Sequence, residues 1–344
     1  MVAVVGATGY VGRLISAELG RRGIPFVAVG RSREKLEALP GAGDRRVADT
    51  SDEPALREAL DGCRSVCSCV GPFVDHGEPV VRTAIDAGVN YLDMTGEQAF
   101  VRTIFERCDA PARKAGVALV PAMGVDPLLG DMAAALAARA LGATPDAVEV
   151  FHLEVDATAS DGTKRTIMRV APMPCWTWRD GRPVLTAIGA DGRRFRFPGG
   201  DSHVAVFPAP EVLTVSRHTG ARDVSCYIGM PRLAAPIARG ARLASPLLRV
   251  GRVLLGSRTG GPSPEQRARH RYAKVAEARA GDRSARCVVE GSDSYGATAA
   301  GCVEALVLMA DAGFEGRGAL APSEAFDPEA FLATLGDYLR WRIE

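Results

Sequence analysis

The stretch that decides the fold is Val2-Ala3-Val4-Val5-Gly6-Ala7-Thr8-Gly9-Tyr10-Val11-Gly12, at the start of the 344-residue chain. A short apolar run leads into three glycines spaced G-x-x-G-x-x-G, and an amphipathic helical pattern follows. Glycine is needed there because a pyrophosphate must approach the backbone closely while the helix points its N–H groups at the anion. The alternative is a glycine-rich turn without a ligand. We predict a dinucleotide-binding unit whose cofactor contacts are Gly6, Thr8, Gly9, Tyr10, Val11 and Gly12.

The end of the second apolar run indicates which dinucleotide is bound. That run closes on Gly30-Arg31-Ser32, where an NAD-binding chain usually carries an acidic residue that holds the ribose 2′-hydroxyl. Arg31 offers a guanidinium fork and Ser32 a hydroxyl, and both suit the 2′-phosphate of NADP. The alternative is that Arg31 is a solvated loop charge. We predict NADP as the cofactor, bound by Arg31 and Ser32.

The first 125 or so residues alternate apolar runs with helical patterns. This alternation is typical of a parallel sheet covered by helices on both faces, so we predict a doubly wound Rossmann sheet of six strands. The predicted strands are 2–5, 26–29, 45–48, 65–70, 90–93 and 117–122, and the predicted helices are 10–22, 32–39, 53–61, 77–88 and 98–115.

The pattern changes after a predicted helix near 128–141. Period-two alternation around 147–157, 204–218, 223–229 and 285–290 predicts a second α/β domain built on a largely antiparallel sheet. Tyr295–Ala312 and Glu329–Arg342 are typical of helices that return to the first domain. The predicted division is 1–127 for the Rossmann domain, 128–292 for the substrate domain and 293–344 for the C-terminal helices.

Ligands of a doubly wound sheet bind outside the carboxyl ends of its strands, so the residues that follow each strand are site candidates. Asp49 is either an adenine contact or part of a helix cap. Glu97 is either a contact to the carboxamide, ribose or substrate, or the cap of the next helix. Val70, Gly71, Pro72 and Phe73 are predicted to line the nicotinamide riboside with an apolar wall, the alternative being a rigid turn.

Asp126 follows the sixth predicted strand and is our first candidate for the catalytic proton donor. The alternative is that it only caps the helix after it. The chain lacks a Tyr-x-x-x-Lys pair where short-chain dehydrogenases place their catalytic tyrosine, which argues against their mechanism.

Composition excludes several classes of function. Apolar residues make up 47% of the chain and charged residues 24%, and the formal net charge is +1. These values are typical of a globular protein and give no overall field for nucleic acid, so we expect no nucleic-acid partner. The first strand begins at residue 2, so we expect no cleavable signal peptide and a cytoplasmic location. The eight cysteines are scattered along the chain, and we expect reduced core thiols and no metal site.

A local basic region lies at 232–258. It holds six arginines, and the chain has no acidic residue between Asp223 and Glu265. At helical spacing the arginines and the leucines fall mostly on opposite sides, although Pro236 and Pro246 interrupt the pattern. The region is either a contact to an anionic membrane or an acyl carrier, or a packed helical pair with a solvated face.

Two further motifs are specific: Gly71-Pro72-Phe73 with Gly77-Glu78-Pro79-Val80-Val81, and Tyr91-Leu92-Asp93-Met94-Thr95-Gly96-Glu97. With the opening glycine motif and the later Tyr295-Gly296-Ala297-Thr298, they make the chain resemble the saccharopine dehydrogenase (reductase)-like family, near its trans-acting enoyl reductase branch. The resemblance implies a Rossmann domain that uses NADPH. It also implies that Thr163, beside Gly162, meets the substrate or the nicotinamide, the alternative being a loop turn.

The chain departs from that family at Gly124-Val125-Asp126-Pro127, where many relatives carry a serine-containing segment, and so the substrate does not carry over. We expect an NADPH-dependent oxidoreductase that transfers hydride to a C=N or C=O bond of a small metabolite or biosynthetic intermediate. The alternatives are a trans-acting enoyl reductase that acts on a carrier-bound or lipid-like C=C substrate, and a non-catalytic NADP-sensing protein. A homodimer is compatible with all three.

Overall fold

Parallel strands from the start of the chain form the first sheet, which we call sheet A. The computed structural model describes residues 1–41, 43–232, 234, 248, 251, 256 and 259–344. Sheet A has the strand order β15-β6-β5-β4-β1-β2-β3, and every pairing in it is parallel. Its strands are β1 Val2–Val5, β2 Phe26–Gly30, β3 Asp44–Val47, β4 Ser65–Ser68, β5 Asn90–Asp93, β6 Ala118–Val120 and β15 Gly318–Ala319.

Helices cover both faces of sheet A, which confirms the predicted Rossmann fold. The side chains of β1 alternate between two apolar cores, with Val2 and Val4 in one and Ala3 and Val5 in the other. A strand buried on both faces needs this continuous apolar run. The helices are α1 Tyr10–Arg21, α2 Arg33–Glu37, α3 Glu53–Ala59, α4 Phe73–Asp86, α5 Gln98–Thr103, a π-helical turn Ile104–Cys108, α6 Asp109–Ala115, α7 Val125–Leu141, α8 Asp161–Val170, α9 Glu211–Thr219, α10 Pro264–Arg269, α11 Ser294–Ala310, α12 Pro322–Ala325 and α13 Pro328–Thr334.

The second sheet, sheet B, is mostly antiparallel, as predicted. Its order is β10-β11-β12-β7-β13-β14-β16. Strands β8 and β9 form a hairpin that is attached to β12. Among the described strands of sheet B, only β12 and β7 pair in parallel. The strands are β7 Ala147–Val155, β8 Cys175–Arg179, β9 Arg182–Thr186, β10 Arg193–Phe197, β11 Gly200–Val206, β12 Asp223–Gly229, β13 Arg271–Ala280, β14 Arg283–Ser292 and β16 Leu339–Ile343.

Two helices join the sheets. The largest apolar core runs from sheet A through α7 and α11 to the facing side of sheet B. The Val125 N–H at the start of α7 donates to the Thr298 hydroxyl of α11 at 3.0 Å. The predicted domain boundary after residue 127 falls in the first turn of α7. Because α7 begins at the carboxyl edge of sheet A and packs on sheet B, its first residues lie where the two sheets meet.

Two predicted elements are wrong in part. The strand over 204–218 ends at Val206, because Pro208 and Pro210 interrupt it and α9 begins at Glu211. The helix over Glu329–Arg342 ends at Thr334, and Leu339–Ile343 forms β16 beside β14. Its Leu339, Trp341 and Ile343 alternate with arginines, a pattern of period two that favours a strand.

The basic region 232–258 falls mostly outside the described residues, so its predicted amphipathic face stays a prediction. In the part of the chain that the structure describes, no helix is long and apolar enough to cross a membrane.

Candidate active site

The glycine loop makes a tight turn between β1 and α1. Gly6 has a φ of 81°, and a Cβ there would lie 2.7 Å from Val70, so only glycine fits. A Cβ on Gly12 would overlap the Gly6 carbonyl oxygen and lie 2.8 Å from the Ala7 Cα. Gly9 is the N-cap of α1 and provides no side chain to bond the first N–H groups of the helix. These N–H groups are therefore available to an anion at the start of α1, and the predicted pyrophosphate contact stays a prediction.

Arg31, Ser32 and Asp49 lie together at the carboxyl ends of β2 and β3. Arg31 is exposed, and Ser32 accepts a hydrogen bond from the Lys35 N–H as the N-cap of α2. Asp49 accepts from the Ser51 N–H at 3.0 Å and from the Ser51 hydroxyl at 2.7 Å. These bonds lower the pKa of Asp49, with a further contribution from Arg31. Asp52, not Asp49, caps α3.

The turn after β4 is fixed by Glu97. The Phe73 and Val74 N–H groups donate to the two Glu97 carboxylate oxygens at 2.7 and 2.8 Å. Glu97 thus binds the N-terminus of α4 and makes no side-chain cap of α5, whereas the sequence suggested either a contact to the cofactor or substrate, which stays a prediction, or a cap of α5. Burial raises the pKa of Glu97. Phe73 packs on Phe100 with ring centroids 5.7 Å apart, so its ring is part of the core, and its predicted place along the nicotinamide riboside stays a prediction.

Replacing Glu97 by Ala is expected to lower the free energy of unfolding by about 2 kcal/mol or more, because two buried N–H groups lose their acceptors. The measurement is urea denaturation. Glu78→Ala serves as control, because Glu78 is exposed on α4, the helix whose N-terminus Glu97 binds. It should change the free energy of unfolding by less than about 0.5 kcal/mol. Equal losses in the two variants would contradict this role of Glu97.

Helix α8 crosses the carboxyl edge of sheet A. At its start, the Thr163 hydroxyl lies 3.0 Å from both the Ser160 hydroxyl and the Tyr295 hydroxyl. Tyr295 packs edge-on against Tyr10 of α1, with ring centroids 5.1 Å apart. The structure therefore places Thr163 in a cluster of hydroxyls beside the glycine loop. Its predicted contact with the substrate or nicotinamide stays a prediction.

Further along, α8 reaches the turn after β4. The Thr166 hydroxyl donates to Glu97 at 3.3 Å, and Arg169 pairs with Asp75 at 2.9 Å. No residue of α8 is buried. This helix forms a cover over the crevice in which a dinucleotide lies in such a fold.

Asp126 faces sheet B across the interdomain cleft. Its carboxylate lies 2.7 Å from the Lys274 ammonium of β13, which also contacts Glu154 of β7. The Lys274 side chain is fully buried, whereas that of Asp126 is 55% exposed. Glu154 in turn lies 2.7 Å from the ring nitrogen of His270. We call Asp126, Lys274 and Glu154 the cleft triad; within it, Asp126 is the member that a ligand can reach.

The charges of the cleft triad decide what Asp126 can do. The loss of water on the side of the carboxylate that faces sheet B would by itself raise the pKa of Asp126. The Lys274 ammonium and the nearby His152 outweigh this effect and lower the pKa to about 2. The two carboxylates raise the pKa of Lys274. Asp126 is therefore a carboxylate at neutral pH, a state suited to attracting a cation or accepting a proton; its predicted role as proton donor stays a prediction.

Sequence reasoning located Asp126 and missed Lys274 and Glu154. No strand was predicted over 271–280, so nothing placed Lys274 opposite the sixth strand. The signal was the lysine inside the apolar run Tyr272-Ala273-Lys274-Val275-Ala276, because a lysine is rarely buried unless it is paired.

Comparison with known proteins agrees with this geometry. Residues 6–105 match a family model described as NAD(P)H-binding. Saccharopine dehydrogenase-like oxidoreductase of Mus musculus is 27% identical over 171 residues, which cover 44% of this chain and 40% of that protein. Trans-acting enoyl reductase of Mycobacterium ulcerans is 31% identical over 140 residues, which cover 38% of this chain and 34% of that protein.

A solved structure is similar over its whole length. Apo histidine-tagged saccharopine dehydrogenase (L-Glu forming) from Saccharomyces cerevisiae gives a TM-score of 0.65 with 14% identity, covering 100% of this chain and 99% of that chain. This match shows a shared fold. The fold and the glycine loop define a protein with an NAD(P)H-binding Rossmann domain. The chain is a homologue of the saccharopine dehydrogenase-like oxidoreductases, as its motifs predicted, and it spans less than half the length of the curated relatives named above.

Proposed function

We propose that this protein is an NADPH-dependent reductase that transfers hydride to a C=N or C=O bond of a small polar metabolite or biosynthetic intermediate. The observation that carries the proposal is the cleft triad, a group of charges that meets the carboxyl edge of a nicotinamide-binding sheet. NADPH supplies the hydride when bound. Asp126 offers a fixed negative charge there, which attracts a protonated C=N group and opposes the negative charge that a C=O bond develops on its oxygen.

The state of Asp126 favours a C=N bond. A protonated imine carries a positive charge and becomes an amine when it accepts hydride alone, so it requires no proton donor. The Asp126 carboxylate keeps the imine in this protonated, reactive form, because a nearby negative charge favours the cation over the neutral imine. Lys274 keeps the carboxylate ionised and in place. A carbonyl substrate would also need a proton, for which water is the source.

NADPH oxidation with a panel of substrates tests this function. The panel contains amine and oxo-acid mixtures that form imines, simple ketones, and enoyl thioesters. We expect turnover with the imine mixtures. Turnover with the enoyl thioesters alone would favour the second candidate, a trans-acting enoyl reductase, which the homologue from Mycobacterium ulcerans supports. No turnover with any compound, together with tight NADPH binding, would favour a non-catalytic NADP-sensing protein.

NADPH is expected to bind more tightly than NADH, because Arg31 stands at the end of β2, where an NAD-binding chain usually carries an acidic residue. Replacing Arg31 by Asp should lower NADPH affinity by about tenfold or more, since one charge-assisted contact contributes about 1.5–3 kcal/mol. Calorimetric titration of each protein with NADPH measures this affinity. Arg33→Asp, at an exposed position two residues further on, is the matched control. Equal NADPH affinity of the two variants would show that Arg31 is a surface charge.

A cytoplasmic location and contact with an anionic membrane or acyl carrier through 232–258 remain proposals. The second one is supported by six arginines in that range without an intervening acid. It fits a carrier-bound substrate better than a free metabolite.

A further inference from the structure

Three buried side chains meet near the cleft triad. They are His152 of β7, Glu211 at the start of α9 and Cys226 of β12, and each is at most 4% exposed. One nitrogen, oxygen or sulfur atom from each lies within 4.8 Å of the others. We call these three residues the buried cluster.

The fold brings the buried cluster together from distant parts of the sequence. β7 and β12 are parallel neighbours, with Cys226 opposite Val150 and Ile228 opposite His152, so Cys226 and His152 project from the same face of sheet B. Glu211 comes to that face from α9. A Cβ on Gly130 of α7 would lie 2.7 Å from the Glu211 carboxylate, so the glycine leaves the space that this carboxylate occupies.

The polar atoms of the cluster lack hydrogen bonds. Both ring nitrogens of His152 and both carboxylate oxygens of Glu211 are buried without a hydrogen-bond partner among the described residues. The His152 Nε2 and Glu211 Oε1 atoms lie 2.7 Å apart, but not in the alignment of a hydrogen bond. Buried polar groups are normally satisfied, so four such atoms in one place require an explanation.

We propose that His152, Glu211 and Cys226 form a site for a divalent transition metal, with zinc the best match. Imidazole, carboxylate and thiolate are the ligands that zinc takes in proteins, at about 2.0–2.3 Å. A thiolate and a carboxylate together balance the two positive charges of the ion. Lys274 of β13 lies opposite His152 of β7, and its positive charge is already neutralised by Asp126 and Glu154. Three protein ligands leave a fourth position for water.

The metal content of untagged protein, purified without chelators, tests the site directly. We expect about one zinc ion per chain by plasma mass spectrometry. After removal of zinc, added Co²⁺ should give the visible bands of a tetrahedral site and a thiolate-to-cobalt charge-transfer band. Protein that holds no zinc and gives no such spectrum with Co²⁺ overturns the proposal.

Variants assign the ligands. Cys226→Ser should abolish the charge-transfer band, and Glu211→Gln should weaken Co²⁺ binding by more than about tenfold. Cys287→Ser is the matched control, because Cys287 is equally buried in the same sheet, and it should leave the spectrum unchanged. An unchanged charge-transfer band in Cys226→Ser would place the metal elsewhere and overturn the proposal. NADPH affinity is measured in parallel, and since the glycine loop is remote from the cluster it should not change, so failure of the metal site is separable from failure of the proposed reductase.

Discussion

Replacing Asp126 by Asn is expected to lower kcat by about a hundredfold or more, with NADPH affinity unchanged. The substitution keeps the shape of the side chain and removes the negative charge that keeps the imine protonated. An opposite charge nearby shifts a pKa by about 1–3, so its loss lowers the reactive, protonated fraction by about 10–10³. The measurement is steady-state kinetics on the substrate found by the panel, with NADPH binding measured separately. Asp337→Asn, at an exposed position away from the cleft, is the control and should keep full activity.

Variants of Lys274 separate charge from fold. Lys274→Met should lower the free energy of unfolding by about 3 kcal/mol or more, because it leaves Glu154 without its counter-charge. The double variant with Asp126→Asn should recover part of this stability without recovering activity. If Asp126→Asn retains full turnover, the carboxylate has no part in the reaction.

The same pair predicts a dependence of stability on pH. The pKa of Asp126 in the folded protein, about 2, is below its ordinary value of 3.8. The carboxylate therefore stabilises the fold above about pH 4, and this contribution is lost as the pH falls toward 2. The contribution is reduced by solvent at the exposed side of Asp126. Asp126→Asn should flatten this part of the profile.

Replacing Gly12 by Ala is expected to abolish tight NADPH binding and to destabilise the protein. The new methyl group would overlap the Gly6 carbonyl and approach the Ala7 Cα, and both are backbone atoms that cannot move without changing the anion site. Overpacking of this kind costs about 1–3 kcal/mol, and a loss of 1.4 kcal/mol in binding is about tenfold in affinity.

Gly20 gives the matched control in the same helix. A Cβ there would find its nearest neighbour, the Gly41 Cα, at 3.9 Å. Gly20→Ala should therefore stabilise the protein by about 0.5–1 kcal/mol, since alanine is the better helix former. Equal NADPH affinity in the two variants, measured by calorimetry, would show that the packing of Gly12 does not shape the anion site.

The Rossmann half of the fold was predictable because strands such as β1, β2 and β6 are apolar runs bounded by helical patterns. Strand β15 was missed because Gly318 and Ala319 are too few to show a period. Strand β13 was missed because Tyr272, Ala273, Val275 and Ala276 are apolar on both faces, so no alternation marks it.

The candidate site was likewise predictable only in part. The glycine loop, Arg31 and Asp126 follow strands that the sequence reveals, and their positions follow from the rule that ligands bind at the carboxyl edge. The partners of Asp126 come from sheet B. Lys274 lies more than a hundred residues after Asp126 in the sequence, and no local pattern shows that Lys274 or Glu154 is close to it in the fold. Local pattern also cannot show that Glu97 turns back to α4 instead of capping α5.

A crystal structure of the complex with NADPH tests the central claim most directly. We predict the pyrophosphate at the N-terminus of α1, the 2′-phosphate on Arg31, and C4 of the nicotinamide facing the open side of Asp126. Binding of the nucleotide with C4 directed away from the cleft triad, toward an apolar space, would contradict the proposed reduction of a polar C=N or C=O bond.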